Sequence, residues 1–180
     1  MSEKMYKTSE TTLKIWNDQK KQTTVDDHPL VKTMDNEDFS RLEDIYGYPL
    51  PSAYKEFISM YGCALFYDKV PYRFGYVYER DNMTEQWAAT INSFLDFSAL
   101  SLAHTHMIAD ADNDTGEAFF PQNMLPFAGD LQQNLILLEL GTETPRVWYW
   151  EDQASAWEQG DNNILGFVSD NLYDFINNLT

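Results

Sequence analysis

Metal ligation is the first chemistry that the residue types suggest. His104 and His106 stand two apart, and on an extended strand that spacing turns both imidazoles to one side. Two nitrogen ligands do not make a site and no third is set by spacing, so an ordinary loop is the better reading. Asp110-Ala111-Asp112-Asn113-Asp114 opens like a calcium loop. The pattern then fails, because Thr115 stands where the sharp turn needs glycine and Pro121 stands where a bidentate glutamate is required. Asp110, Asp112 and Asp114 therefore read as a solvated acidic loop or as part of a surface for a partner. Cys63 is the single cysteine, and it follows a glycine amid apolar neighbours, so it reads as a buried, inert thiol. Nucleophile elbows, phosphate loops, the paired-histidine zinc helix and dinucleotide fingerprints are absent. Paired carboxylates are uninformative in a chain with 29 acids. The most site-like of them are Glu151 and Asp152, beside Trp148 and Trp150. With no assembled constellation, the chain reads as a non-enzyme that needs no metal and no cofactor.

The elements that must position these residues follow from periodicity. Residues 1–35 are polar and Thr-rich, an extension in which Leu13 and Trp16 offer one short docked helix and residues 20–27 a linker. Asp35 then caps a helix through its side-chain oxygen, with Met34 and Phe39 placed as a hydrophobic staple. Phe39, Leu42, Ile45 and Tyr46 fall on one face of it, and Gly47 supplies a left-handed stop. Pro49-Leu50-Pro51 forces an extended corner, and Pro51 opens a second helix with Tyr54, Phe57, Ile58 and Tyr61 inward, ended by Gly62.

Strands come next. Ala64 to Tyr67 is a short candidate, and Val70 to Tyr78 alternates clearly, with Tyr72, Phe74, Tyr76 and Tyr78 on the face read as core. A third helix capped by Thr84 would bury Trp87, Ile91, Phe94 and Leu95, and residues 98–118 read as irregular and acidic. Three strands follow, Met124 to Ala128, Asn134 to Leu140 and Arg146 to Glu151, the last two joined by a hairpin through Gly141-Thr142-Glu143-Thr144. A closing helix capped by Ser169 buries Leu172, Phe175, Ile176 and Leu179. The order predicts an α+β fold: a curved, largely antiparallel sheet flanked by two N-terminal helices and a C-terminal helix.

Charge narrows the function. The chain has 180 residues and a net charge of −17, with 27 aromatic rings. A disordered acidic tail would lack the rings, and a nucleic-acid binder needs a basic footprint. Anionic lipid would repel the same surface. Residues 1–35 balance six lysines against six acids, whereas residues 81–180 hold sixteen acids and one basic side chain, Arg146, for a net −15. With one cysteine, no apolar leader and no long apolar run, the cytoplasm is the expected compartment.

The run Leu42-Glu43-Asp44-Ile45-Tyr46-Gly47, then Leu50-Pro51-Ser52-Ala53-Tyr54-Lys55-Glu56-Phe57-Ile58 and Tyr61-Gly62, resembles the opening helices of the SUKH superfamily, which includes the yeast Smi/Knr cell-wall regulators. Met124-Leu125-Pro126-Phe127-Ala128-Gly129-Asp130 is similar to that family's later strand, and Ser169 to Leu179 to its closing helix. The resemblance covers residues 36–180, a SUKH-like domain after the 1–35 extension. It implies an immunity protein that binds and neutralises the toxin domain of a polymorphic or contact-dependent system, with no cofactor. The acidity makes a basic nuclease the expected partner, since a negative surface imitates its substrate and speeds encounter. A Smi/Knr-like regulatory module with no toxin partner is the alternative. Under either, the expected contacts are Asp110, Asp112, Asp114, Asp130, Trp148, Trp150, Glu151 and Asp152.

Overall fold

Asp35, Gly47, Pro51 and Gly62 punctuate the first half of the fold as their chemistry dictates. A computed structural model describes residues 31–64, 72–80, 83–105, 120, 122–130, 132, 134–151 and 165–180. The Asp35 carboxylate accepts from the backbone N–H of Glu37 (2.8 Å) and Asp38 (3.0 Å), while Asp38 reaches back to the Asp35 N–H, a complete capping box. Helix α1 (Asn36–Tyr46) starts there and stops at Gly47, whose φ of 73° is the left-handed conformation that glycine adopts without strain. The corner that follows is tied by Glu43, which accepts from the Leu50 N–H and from the Lys55 ammonium, both at 2.9 Å. Those hydrogen bonds hold the Glu43 carboxyl below its ordinary range, the Lys55 contact most of all. Helix α2 (Ser52–Tyr61) follows with Pro51 as its cap residue, one position earlier than the sequence reading. Gly62 ends it at φ 78°, and a Cβ there would sit 2.7 Å from Val31 and 2.8 Å from the Lys32 carbonyl. Only glycine lets strand β1 (Val31–Lys32) reach β2 (Cys63–Ala64), and Met34 between β1 and α1 is buried in the core.

The main sheet has seven strands, all antiparallel and curled as a half-barrel, in the order β4-β3-β9-β8-β7-β6-β5. They are β3 (Tyr72–Arg80), β4 (Met83–Ile91), β5 (Ser93–Phe94), β6 (Met124–Gly129), β7 (Leu135–Glu139), β8 (Val147–Trp150) and β9 (Leu165–Ser169). Helix α3 (Phe97–Ala103) precedes β6 and helix α4 (Leu172–Asn177) closes the chain. The α+β architecture and the three strands near the C-terminus match the sequence reading.

Three expectations are corrected. Residues 83–91 are a strand, not the helix that Thr84 was expected to cap, and Trp87 is exposed rather than buried. Its apolar spacing of four fits a helical face, but register with β3 decides the conformation: nine residue pairs run from Tyr72↔Ile91 to Arg80↔Met83, and only Asp81 and Asn82 lie between the strands. Local propensity yields to a full ladder of cross-strand partners. Residues 98–103, read as irregular, belong to a helix that starts at Phe97, because Asp96 accepts from the Ala99 N–H at 2.9 Å as its cap. Ser169 ends β9 rather than capping α4; Asn171 does that, accepting from Asp174 N–H at 2.9 Å.

One face of the sheet is filled by rings from α2 and α4. Phe57 meets Phe94 (5.7 Å) and Tyr173 (6.2 Å), while Phe175 meets Phe74 (5.4 Å) and Phe127 (5.8 Å), mostly edge to face. A bulge between Pro126 and Ala128 in β6 carries Phe127 into this cluster. Helices α1 and α3 pair beside it, where the Tyr46 hydroxyl donates to the Leu100 carbonyl at 2.9 Å and Arg41 lies 4.3 Å over Phe97. Because β6 and β8 run in the same direction, Asp130 and Glu151 leave the sheet at one end.

Candidate partner-binding site

Beyond the reach of α2 and α4, the same sheet face opens into a cleft of about 490 Å³ between β4, β3, β8 and the end of β6. Strand β3 supplies Tyr76, and β4 sets Trp87 directly opposite it. Strand β8 supplies Tyr149 and, one residue past its end, Glu151; β6 ends in Asp130. The rings of Tyr76 and Tyr149 lie 4.6 Å apart although β9 runs between their strands. Gly166 makes this possible, because a Cβ there would stand 2.5 Å from the Tyr76 ring. Tyr149 also abuts Phe74 at 5.5 Å, so the wall of the cleft is continuous with the ring-filled core.

Each tyrosine hydroxyl holds a carboxylate. Tyr76 donates to Glu151 Oε1 at 2.6 Å, and Tyr149 to Asp130 Oδ2 at 2.8 Å. Asp130 Oδ2 also accepts from the Asn134 side chain (2.8 Å), and Oδ1 accepts from the backbone N–H of Gln132 (2.7 Å) and Asn134 (2.9 Å). Each oxygen of Asp130 thus takes two donors, all of them neutral. Burial, and then the Asp130 hydrogen bond and charge, push the Tyr149 hydroxyl far above its ordinary pKa, so it stays a donor. Trp87 is 56% exposed and its indole N–H donates to Glu85 Oε2 at 3.2 Å, which fixes the ring at the rim. No lysine or arginine is among the described residues lining the cleft.

The opposite face carries a second acidic and aromatic group. Glu139 Oε1 accepts from the Arg146 guanidinium at 2.8 Å and from the Trp148 indole N–H at 3.0 Å. Arg146 stands 5.0 Å over the Trp148 ring, which meets Phe167 edge to face at 5.6 Å. Partial burial pushes the Glu139 carboxyl up, but the hydrogen bonds from Arg146 and Trp148 outweigh it and hold the group below its ordinary range.

The expected contact residues therefore separate. Asp130 and Glu151 share the cleft. Trp148 lies on the other face, half-buried and engaged with Glu139. Trp150 is corrected from the surface to the core: it is 2% exposed and packs 5.4 Å from Phe120, leaving nothing for a partner to touch. Asp110, Asp112, Asp114 and Asp152 lie outside the described residues, as does His106. His104 packs against Tyr46 at 4.9 Å, and burial lowers its pKa. Among the described residues no three His, Cys, Asp or Glu side chains gather as metal ligands. Cys63 is buried as expected, and that burial pushes its thiol up to about 12. No described helix is long and apolar enough to cross a membrane.

Sequence reasoning missed Trp87 and Gly166 as parts of a site. The signal for Trp87 was the two-residue Asp81-Asn82 break between two apolar stretches, which marks a hairpin. Gly166 disguised β9, since a strand with glycine at its second position shows little alternation. Tyr76 was rightly placed in the core, but its hydroxyl reaches the cleft.

No curated protein and no solved structure matches the chain. The family model described as SMI1 / KNR4 family (SUKH-1) matches residues 33–178, which takes in every strand of the seven-stranded sheet and all four helices described above. The chain belongs to the SMI1 / KNR4 family (SUKH-1).

Proposed function

We propose that the protein is an immunity-type binding module that captures a basic toxin domain, a nuclease being the favoured class, and that the cleft at Asp130 and Glu151 is part of its docking surface. Membership of the SUKH-1 family is the observation that carries this reading. Electrostatics support it. Residues 81–180 hold a net −15, and a nuclease must present cations to phosphate. Asp130, whose four donors are all neutral, is already fixed in place and needs no rearrangement when a cation arrives. Encounter is then steered, by about 10- to 1,000-fold at low salt.

The reading expects a protein with a toxic C-terminal domain to be encoded immediately upstream, and the test is co-expression with that domain. That domain alone stops growth, and this protein restores it. Association of the purified pair slows as salt rises. If growth is not restored, the immunity reading fails and a regulatory module without a toxin replaces it. If growth is restored but the association rate ignores salt, the electrostatic part fails alone.

A further inference from the structure

We propose that the cleft beside Trp87 seats a single arginine side chain of the partner; this rests on the protein-binding reading above. Three observations converge on a guanidinium. The first is the platform. Trp87 is a large apolar ring left 56% exposed on a strand whose neighbours Ala88 and Ala89 are small, and Glu85 pins its indole N–H. An indole face held in one orientation is the best side-chain surface for a cation, and arginine stacks on it better than lysine does.

The second is the charge opposite that platform. Asp130 and Glu151 both line the cleft, together with Gln132, Asn134 and Thr90, and every charged group among the described lining residues is negative. The four donors on Asp130 occupy its acceptor positions, so it acts at a distance through its charge. Glu151, whose Oε1 accepts from the Tyr76 hydroxyl, adds a second fixed negative charge to the same cleft.

The third is rigidity. Tyr76 and Tyr149 are buried rings packed against each other at 47° through the Gly166 gap, and they anchor both carboxylates to the core. A flexible acidic loop would lose entropy on gripping a cation, whereas this arrangement is already ordered. An aromatic platform on one side and fixed carboxylates on the other match a planar, weakly hydrated cation. A compact, strongly hydrated ammonium uses only the charge.

The test uses the whole protein, hexa-arginine as probe, and the NMR signal of the Trp87 indole N–H, assigned by its loss in Trp87→Ala. Hexa-arginine shifts that signal, and hexa-citrulline, the neutral isostere, does not. Hexa-lysine binds more weakly and shifts it less. Trp87→Ala and Glu151→Gln each weaken hexa-arginine binding by about fivefold or more. Glu143→Gln, in the exposed β7–β8 hairpin, changes binding less than twofold. An unmoved Trp87 signal, equal effects of lysine and arginine, or equal weakening by all three variants overturns the proposal. The two readings fail separately. Growth rescue that Trp87→Ala leaves intact, with hexa-arginine binding unchanged, sinks the arginine seat alone. Hexa-arginine seated at Trp87 without any growth rescue sinks the toxin reading alone.

Discussion

Glu139 and Asp130 are carboxylates at the ends of neighbouring strands, and each is held by an aromatic side chain on its own face of the sheet. At Glu139 the holding group is cationic: Arg146 closes over the acid and stacks on Trp148, so charge is cancelled where it stands. At Asp130 every donor is neutral, namely Tyr149, the Asn134 side chain and two backbone amides. Both solutions satisfy an anion geometrically. Only the second leaves the negative charge facing outward. The single basic residue of the last hundred positions is spent on the face away from the cleft. Net charge alone therefore says little about where a cationic partner would land, and the donor type beside each acid says more.

The largest way to break this comparison is Asp130→Ala. It strips four donors of their acceptor, among them the buried Tyr149 hydroxyl, and we expect a loss of at least about 3 kcal/mol by chemical denaturation. A loss under 1 kcal/mol would mean that the tyrosine and the β6–β7 connection do not depend on this acid. Gly166→Ala comes next. The new methyl enters the space of the Tyr76 ring, and overpacking of this kind costs about 1–3 kcal/mol. Tyr76 must also move away from Tyr149, which separates the two carboxylate anchors. Near-ultraviolet circular dichroism reports that displacement, and an unchanged spectrum with full stability would contradict it.

Glu139→Gln sharpens the comparison from the other face, with an expected cost of about 1 kcal/mol for weakened pairing with Arg146 and Trp148. Its pH dependence has a definite sign. The folded carboxyl lies below its ordinary value of 4.5, so its contribution is present above that pH and is lost as pH falls through the folded pKa. Glu139→Gln should thus narrow the gap to the unaltered protein under acid, and a gap constant from pH 7 to pH 3 would remove Glu139 from the acid limb. The smallest stability effect belongs to Trp87→Ala, within about 0.5 kcal/mol, because the ring is mostly in solvent. A larger loss would make Trp87 a structural residue and remove the argument that it is held open for a partner.

The helical entry was legible because its signals are local. Asp35, Gly47, Pro51 and Gly62 announce themselves by chemistry within a few residues, and the rings between them fall on one face. Strand β3 was equally plain, since Tyr72, Phe74, Tyr76 and Tyr78 repeat at the strand period. Strand β4 was not, because its conformation is imposed by β3 across a hairpin and its own residues expose both faces. The site was half legible for the same reason. Asp130 and Glu151 stand out as acids at strand ends. Their partners Tyr149 and Tyr76, and the Gly166 gap that brings those rings together, come from three strands joined only through β9. Trp150 misled because neighbouring tryptophans in a strand point to opposite sides of a pleat only at odd spacing; Trp148 and Trp150 share a side, and depth of burial, not direction, separates them.

The connections of the main sheet sort onto two rims. Those from β3 to β4, β6 to β7 and β8 to β9 all emerge at the end where Asp130 and Glu151 stand. The β7–β8 hairpin emerges at the other, where it shares a groove of about 720 Å³ with the starts of α2 and α4. That second rim is tied to the helices through this groove. The alternation of an antiparallel sheet thus keeps the groove at α2 and α4 apart from the end where Asp130 and Glu151 stand.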